Sequence, residues 1–299
     1  MLSLPKNATI IEVGPRDGLQ NEGKTVSTEA KLEFIKGLQA AGVQEMELTS
    51  FVSPKWVPQM ADAKEIMANV EKTGRQFVLT PNEKGINAAI ESGAKAVAVF
   101  VGVSDSFNQK NINKTTKESM DALQPLILQL KEDGIFVRAC ISTAFYCPFE
   151  GAINPEDTLA LCRTFAGWGV DELSVADTIG MATPLESYEL FKKLKDAFPD
   201  MLMTAHFHDT RKMALANIFA ALQAGVDRFD ASAGGLGGCP FAPGATGNVA
   251  TEDVVNMLHR MDISTGIDLD LLCQAVASIE PHVSNPVQTG MYRLYKNRG

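Results

Sequence analysis

Short apolar runs rich in β-branched residues alternate along the whole chain with longer stretches whose apolar positions recur every three or four residues. The short runs predict strands at Thr9–Val13, Glu45–Ser50, Gln76–Thr80, Ala96–Val101, Phe136–Ser142, Glu172–Ala176, Leu202–His206 and Arg228–Ala231. Between them, spacings such as Leu32, Phe34, Ile35 and Leu38, or Leu159, Leu161 and Phe165, predict amphipathic helices. Ser/Thr cap signals stand near Thr28 and Thr183. Loops rich in Gly and Pro follow the first and eighth strands, at Gly14–Gly18 and Gly234–Gly238.

Strict alternation of strand and helix implies a parallel sheet. Eight such units within roughly 240 residues fit a closed (β/α)8 TIM barrel better than an open doubly wound sheet. The first strand-to-helix turn reads GPRDG, not the GxGxxG of a dinucleotide-binding sheet. The expected organisation is one catalytic domain over residues 1–299, with the barrel at about 8–247. Additional C-terminal helices at Thr251–Met261 and Leu269–Ala277 cap it, within an extension at about 248–284. The polar tail 285–299 is expected to be poorly ordered.

The 299 residues are 45% apolar and 21% charged, as in globular proteins, and carry a formal net charge of −9. That field repels nucleic acid and anionic membranes, so an anionic ligand needs a local basic patch. No stretch approaches the ~20 apolar residues of a membrane helix, and the N-terminus leaves no room for a signal peptide. The five cysteines are odd in number and contain no CxxC pair, which fits reduced thiols in a cytoplasmic protein.

In such a barrel the chemistry sits at the C-terminal ends of the strands. The first strand ends in Arg16-Asp17, which alone reads equally as a surface ion pair. Glu47 lies between apolar neighbours in the second, where a carboxylate needs partners. Asp177 ends the sixth strand and reads either as a site residue or as a helix cap. His206 and His208 are two apart at the end of the seventh, so both imidazoles face one way and can share a metal. Asp17 and Asn248 are candidate oxygen ligands for a divalent ion such as Mg²⁺ or Mn²⁺. Cys239 tips a glycine-rich loop and is a candidate acid or base. A divalent metal flanked by an Arg, a Glu and a mobile Cys suits a reaction through an enolate.

The runs Glu12–Glu22 (EVGPRDGLQNE), Thr49–Pro58 (TSFVSPKWVP), Lys110–Asn113 (KNIN), Asp177–Gly180 (DTIG), His206–Thr210 (HFHDT) and Gly235–Pro240 (GLGGCP) resemble, in the same order, those of hydroxymethylglutaryl-CoA lyases. Arg-Asp-Gly and His-x-His are shared with a wider superfamily that includes isopropylmalate and homocitrate synthases. The SFVSPKW run and the GLGGCP loop are narrower signals for the lyase. The resemblance implies cleavage of 3-hydroxy-3-methylglutaryl-CoA to acetyl-CoA and acetoacetate, with Mg²⁺ or Mn²⁺. It implies that Asp17, His206, His208 and Asn248 hold the metal and that Arg16 binds the thioester carbonyl. Cys239 would act in proton transfer from a loop that closes over the substrate, and His206 counts among the catalytic residues as well as the metal ligands. Glu47 and Asp177 would tune the site, with Glu252 supporting Asn248. Ser50 and Ser174 would line the substrate mouth, and Lys110 and Lys114 would meet the phosphates of coenzyme A. A homodimer or larger homo-oligomer is also expected. Tyr146, where such enzymes commonly have Gly, and Phe149 and Phe241, where Tyr is common, leave open a related 3-hydroxy-3-alkyl acyl-CoA such as citramalyl-CoA or an isoprenoid homologue. A Claisen-condensing synthase is a further alternative; such enzymes usually carry a C-terminal regulatory domain.

Overall fold

The computed structural model describes residues 4–238 and 247–298. Eight parallel strands close into a barrel: β1 (Thr9–Glu12), β2 (Glu45–Ser50), β3 (Arg75–Leu79), β4 (Ala96–Gly102), β5 (Phe136–Ser142), β6 (Glu172–Asp177), β7 (Leu202–Phe207) and β8 (Arg228–Ala231). Neighbours pair in sequence order, and β1 closes the ring on β8 with Thr9 opposite Arg228 and Glu12 opposite Ala231. The helices are α1 (Thr28–Ala40), α2 (Ala63–Asn69), α3 (Glu83–Glu91), α4 (Asp105–Ile112), α5 (Thr116–Glu132), α6 (Pro155–Gly167), α7 (Pro184–Ala197), α8 (Ala214–Gln223), α9 (Thr251–Arg260), α10 (Leu269–Ile279) and α11 (Gly290–Lys296). A two-residue ribbon, Tyr146–Cys147 with Gly151–Ala152, sits between β5 and α6.

Local chemistry starts the helices where the sequence predicts. Ser27 caps α1 by accepting the Ala30 N–H. Thr183 opens α7 with a reciprocal capping box to Glu186, and Pro184 occupies the first turn, where its missing N–H costs nothing.

Alternation then divides each strand between two environments. Outward side chains such as Val97, Val99 and Val101 join the helices' apolar faces in one continuous core. A second, small cluster of Ile11, Val13, Phe77 and Ala96, with Phe136 against it, fills part of the lumen. Much of the rest of the lumen is charged or polar, with Arg138, Glu172, Ser174, Thr204 and Asp230 all buried.

α10 lies against α1 so closely that a Cβ at Gly37 would stand 3.0 Å from the Cβ of Ala275. The C-terminal tail carries a short helix. α11 buries Tyr292, whose hydroxyl donates to Glu280 at 2.7 Å, because an aromatic every turn gives the polar segment one apolar face.

Candidate metal centre

After β1 the chain winds into a wide turn, Gly14–Gly18, in which the Asp17 and Gly18 N–H groups both donate to Val13 O, at 2.7 and 3.1 Å. Wide turns of this type recur at functional sites. This one aims Arg16 and Asp17 at the mouth. Gly14 is required because a Cβ there would lie 2.6 Å from Glu12 Oε1. Arg16 donates to Asp17 Oδ1 and to Glu47 Oε2, both at 2.6 Å. Glu47 sits beside a register shift in the β2–β3 pairing. Burial disfavours the Arg16 charge, but these two carboxylates outweigh it, so the guanidinium is permanently charged and fixed in direction.

His206 is the penultimate residue of β7 and His208 lies just past its end on the same side, with ring centroids 5.2 Å apart. One ligand atom each from Asp17, His206 and His208 lies within 4.8 Å of the others. Asn248, forty residues on from His208, arrives because the chain after the Gly-rich loop is stitched onto the end of β7. Asp209 N donates to Gly247 O at 2.9 Å, Val249 N to Phe207 O at 3.2 Å, and His208 bridges Asn248. The Asn248 amide then donates to Asp17 Oδ2 at 2.7 Å. Gly237 lets it approach, since a Cβ there would stand 2.9 Å from Asn248 Nδ2.

The electrostatics suit a cation. Burial opposes ionisation of Asp17, but Arg16, His206, His208 and the Asn248 amide outweigh it and hold its carboxyl far below the usual range. Burial, helped by the neighbouring His206, pushes His208 down to about 4 and so keeps it a neutral donor. His208 Nδ1 is buried with no hydrogen-bond partner among the described residues. A carboxylate, two imidazoles and an amide, with one buried ring nitrogen unmatched, fit a divalent metal.

The other expected residues are placed as follows. Asp177 is fully buried, and its oxygens accept the Met181 and Ala182 N–H groups at 3.0 and 2.9 Å, forming the turn into α7. Burial still raises it to about 6 despite those bonds. Ser50 donates to Leu79 O at 3.1 Å and Ser174 to Asp230 Oδ2 at 3.0 Å, which leaves each hydroxyl oxygen able to accept. Glu252 accepts the Gly234 N–H at 3.0 Å and the Thr289 hydroxyl, and among the described residues no hydrogen bond joins it to Asn248. Lys110 and Lys114 are exposed on the last turn of α4 and its link to α5. Cys239 and Phe241 lie outside the described residues. Tyr146 donates to Glu186 Oε1 at 2.6 Å, pinning the ribbon to α7.

Sequence reasoning missed a charged row in the lumen. His206 Nδ1 meets Asp230 Oδ2 at 3.0 Å, and Arg138 pairs with the other Asp230 oxygen. Below it come Glu172, 3.1 Å from Arg138; Arg228, 3.2 Å from Glu172; Glu45, 2.6 Å from Arg228; and Arg75, 3.0 Å from Glu45. It also missed Glu12, fully buried on the outer side of β1, which accepts Gly14 N at 2.7 Å, Ala233 N at 2.9 Å and Thr251 Oγ at 2.6 Å.

A fixed guanidinium beside clustered imidazole and oxygen donors, at the end of a (β/α)8 barrel where such barrels carry their chemistry, defines an enzyme that handles negative charge developing on a substrate oxygen. Comparison gives the lineage. The chain belongs to the HMGL-like family, whose model matches residues 7–279. It is 42% identical to a hydroxymethylglutaryl-CoA lyase of Bacillus subtilis over 98% of this chain and 99% of that protein. It is 43% identical to a 3-hydroxy-3-isohexenylglutaryl-CoA/hydroxymethylglutaryl-CoA lyase of Pseudomonas aeruginosa, over 92% of each. Among solved structures, an Acinetobacter baumannii HMG-CoA lyase in complex with coenzyme A and 3-methylmalate superimposes with a TM-score of 0.92. It is 35% identical, covering 98% of this chain and 96% of that one.

Proposed function

We propose that the protein is a metal-dependent carbon–carbon lyase that cleaves 3-hydroxy-3-methylglutaryl-CoA to acetyl-CoA and acetoacetate. The observation that carries this reading is the Arg16 guanidinium fixed beside the Asp17–His206–His208 group, in a chain of the HMGL-like family. Breaking the C2–C3 bond of this substrate turns the C3 alcohol into a ketone and leaves the thioester fragment as an enolate. The hydroxyl must lose its proton, and the thioester oxygen must gain a partner as charge builds on it.

Asp17, His206, His208 and Asn248 would hold Mg²⁺ or Mn²⁺, and a divalent ion bound there supplies the Lewis acidity that makes the C3 hydroxyl a stronger acid. Arg16 presents its remaining N–H groups to the thioester oxygen. Asp17 and Glu47 spare it the cost of reorienting during the reaction. Proton delivery to the enolate carbon falls to Cys239 on the Gly235–Pro240 loop, a role that rests on the motif resemblance. Lys110 and Lys114 would meet the coenzyme A phosphates. The reading places the protein in the cytoplasm as a homo-oligomer. The free thiols Cys140, Cys147, Cys162 and Cys273 suit that compartment, and gel filtration tests the assembly. Among the described residues no helix is long and apolar enough to cross a membrane.

The test is product analysis across 3-hydroxy-3-alkyl acyl-CoAs. Equimolar acetyl-CoA and acetoacetate from 3-hydroxy-3-methylglutaryl-CoA support the reading, and release of free coenzyme A thiol alone would overturn it. The double name of the Pseudomonas relative favours the isohexenyl homologue as a second substrate for the same panel.

A further inference from the structure

We propose that Asp230 and Arg138 are positioning residues for His206: together they hold the ring with its proton on Nδ1, leaving Nε2 as the nitrogen offered to a divalent ion.

The geometry assigns every oxygen of Asp230. Oδ2 lies 3.0 Å from His206 Nδ1 and accepts the Ser174 hydroxyl, also at 3.0 Å. Oδ1 accepts from Arg138 Nη2. Asp230 is 4% exposed and Arg138 1%. A carboxylate so deep in the lumen persists only with a charged partner on it, and Arg138 is that partner. Arg138 is itself held by Glu172, 3.1 Å from its Nε. Glu172 is anchored by the Thr204 hydroxyl at 2.6 Å and by Arg228.

An ionised carboxylate only accepts hydrogen bonds, so the imidazole nitrogen facing it must be the donor. A neutral ring with its proton on Nδ1 carries its lone pair on Nε2. The tautomer is therefore dictated at one remove from the cation site, by a guanidinium whose ion pairs among the described residues go to the lumen carboxylates Asp230 and Glu172. If Asp230 served only to neutralise Arg138, one oxygen would suffice. The commitment of its second oxygen to His206 and Ser174 is what a purely structural ion pair leaves unexplained. His208 has no such brace: its Nδ1 is without a partner among the described residues. The orienting function therefore acts on one ligand of the pair.

This inference rests on the metal-site reading above, and the experiment separates the two. Metal-free protein is titrated with Mn²⁺ while free Mn²⁺ is read by electron paramagnetic resonance, which needs no turnover. Asp230→Asn should weaken binding by about 10–100-fold, the range typical of lost outer partners of ligand histidines, and Ser174→Ala by less. Circular dichroism checks that each variant is folded. In parallel, long-range ¹H–¹⁵N spectra of the unaltered Mg²⁺-loaded protein read the tautomer directly. The chain has 4 histidines, and His206→Gln assigns the signal. A proton on Nδ1 of His206 supports the inference. A proton on Nε2, or a folded Asp230→Asn variant whose Mn²⁺ affinity stays within about twofold of the parent, overturns it. If Asp230→Asn does not fold, the tautomer signal decides alone. Failure of the unaltered protein to bind Mn²⁺ would instead sink the metal-site reading itself.

Discussion

Replacing Glu12 with Gln should change how the stability of this protein depends on pH. Glu12 is fully buried where β1 meets the base of the glycine-rich loop. Burial pushes its carboxyl up from 4.5 to about 7, although hydrogen bonds from Thr251, Ala233 and Gly14 pull the other way. Glu252, also buried and also raised to about 7, adds repulsion. The folded value lies above the unfolded one, so the folded state holds this proton more tightly. The stability this contributes is complete below about pH 4.5 and is lost as pH rises through about 7. Each pKa unit is worth about 1.4 kcal/mol, so the loss approaches about 3 kcal/mol. In Glu12→Gln the amide oxygen can keep Gly14 N and Ala233 N, and the Thr251 hydroxyl can rotate to accept from the new NH₂. The variant therefore gains on the parent by up to about 3 kcal/mol between pH 4.5 and 8. The measurement is urea unfolding of both proteins across that range, at constant ionic strength with chelator present so that metal linkage does not enter. Titrations at His206, His208 and Asp177 occur in both proteins and largely cancel in the difference. A difference that stays flat with pH, or that favours the parent at high pH, would refute the reasoning.

Arg16→Gln should lower kcat by about 10²–10³ with little change in KM, because the guanidinium meets charge that exists only late in the reaction; a change confined to KM would reassign Arg16 to ground-state binding. Exhaustive chelation should abolish cleavage, with Mg²⁺ or Mn²⁺ restoring it, and His208→Ala should raise the metal concentration needed. Full activity in demonstrably metal-free protein contradicts both expectations. Cys239→Ala should reduce kcat by about 10²–10⁴, the usual share of general acid–base catalysis, and Cys239→Ser should recover only part, since a hydroxyl is a much weaker acid. Near-normal turnover in Cys239→Ala passes the proton-transfer role to another group.

The barrel was legible because its strands are short, mostly apolar and each followed by a helix-period segment. Only their ends moved: β4, β6 and β7 each run one residue further than the pattern predicts, β1 stops one short, and β3 starts and stops one residue earlier. The His206/His208 pair was legible because a period of two survives at the end of a strand. Asn248 could be named from its motif but not placed from the sequence, since its approach depends on backbone bonds to Phe207 and Asp209 made after a loop. The lumen row escaped for a different reason. A lone charge in a short strand gives the same alternating signal whether it faces water or a sealed interior. Yet once a barrel with helices outside is inferred, both faces of the strands are largely buried, and a charged residue in mid-strand has little access to water. Arg138, Glu172, Arg228 and Asp230 then have to find one another, because none is tolerable alone. Two cations and two anions on β5, β6 and β8, joined by Glu45 and Arg75 on β2 and β3, therefore imply a paired interior before any coordinate is seen. The end of that row lies against His206, so the same pairing that makes the lumen charges tolerable also decides which nitrogen the site presents.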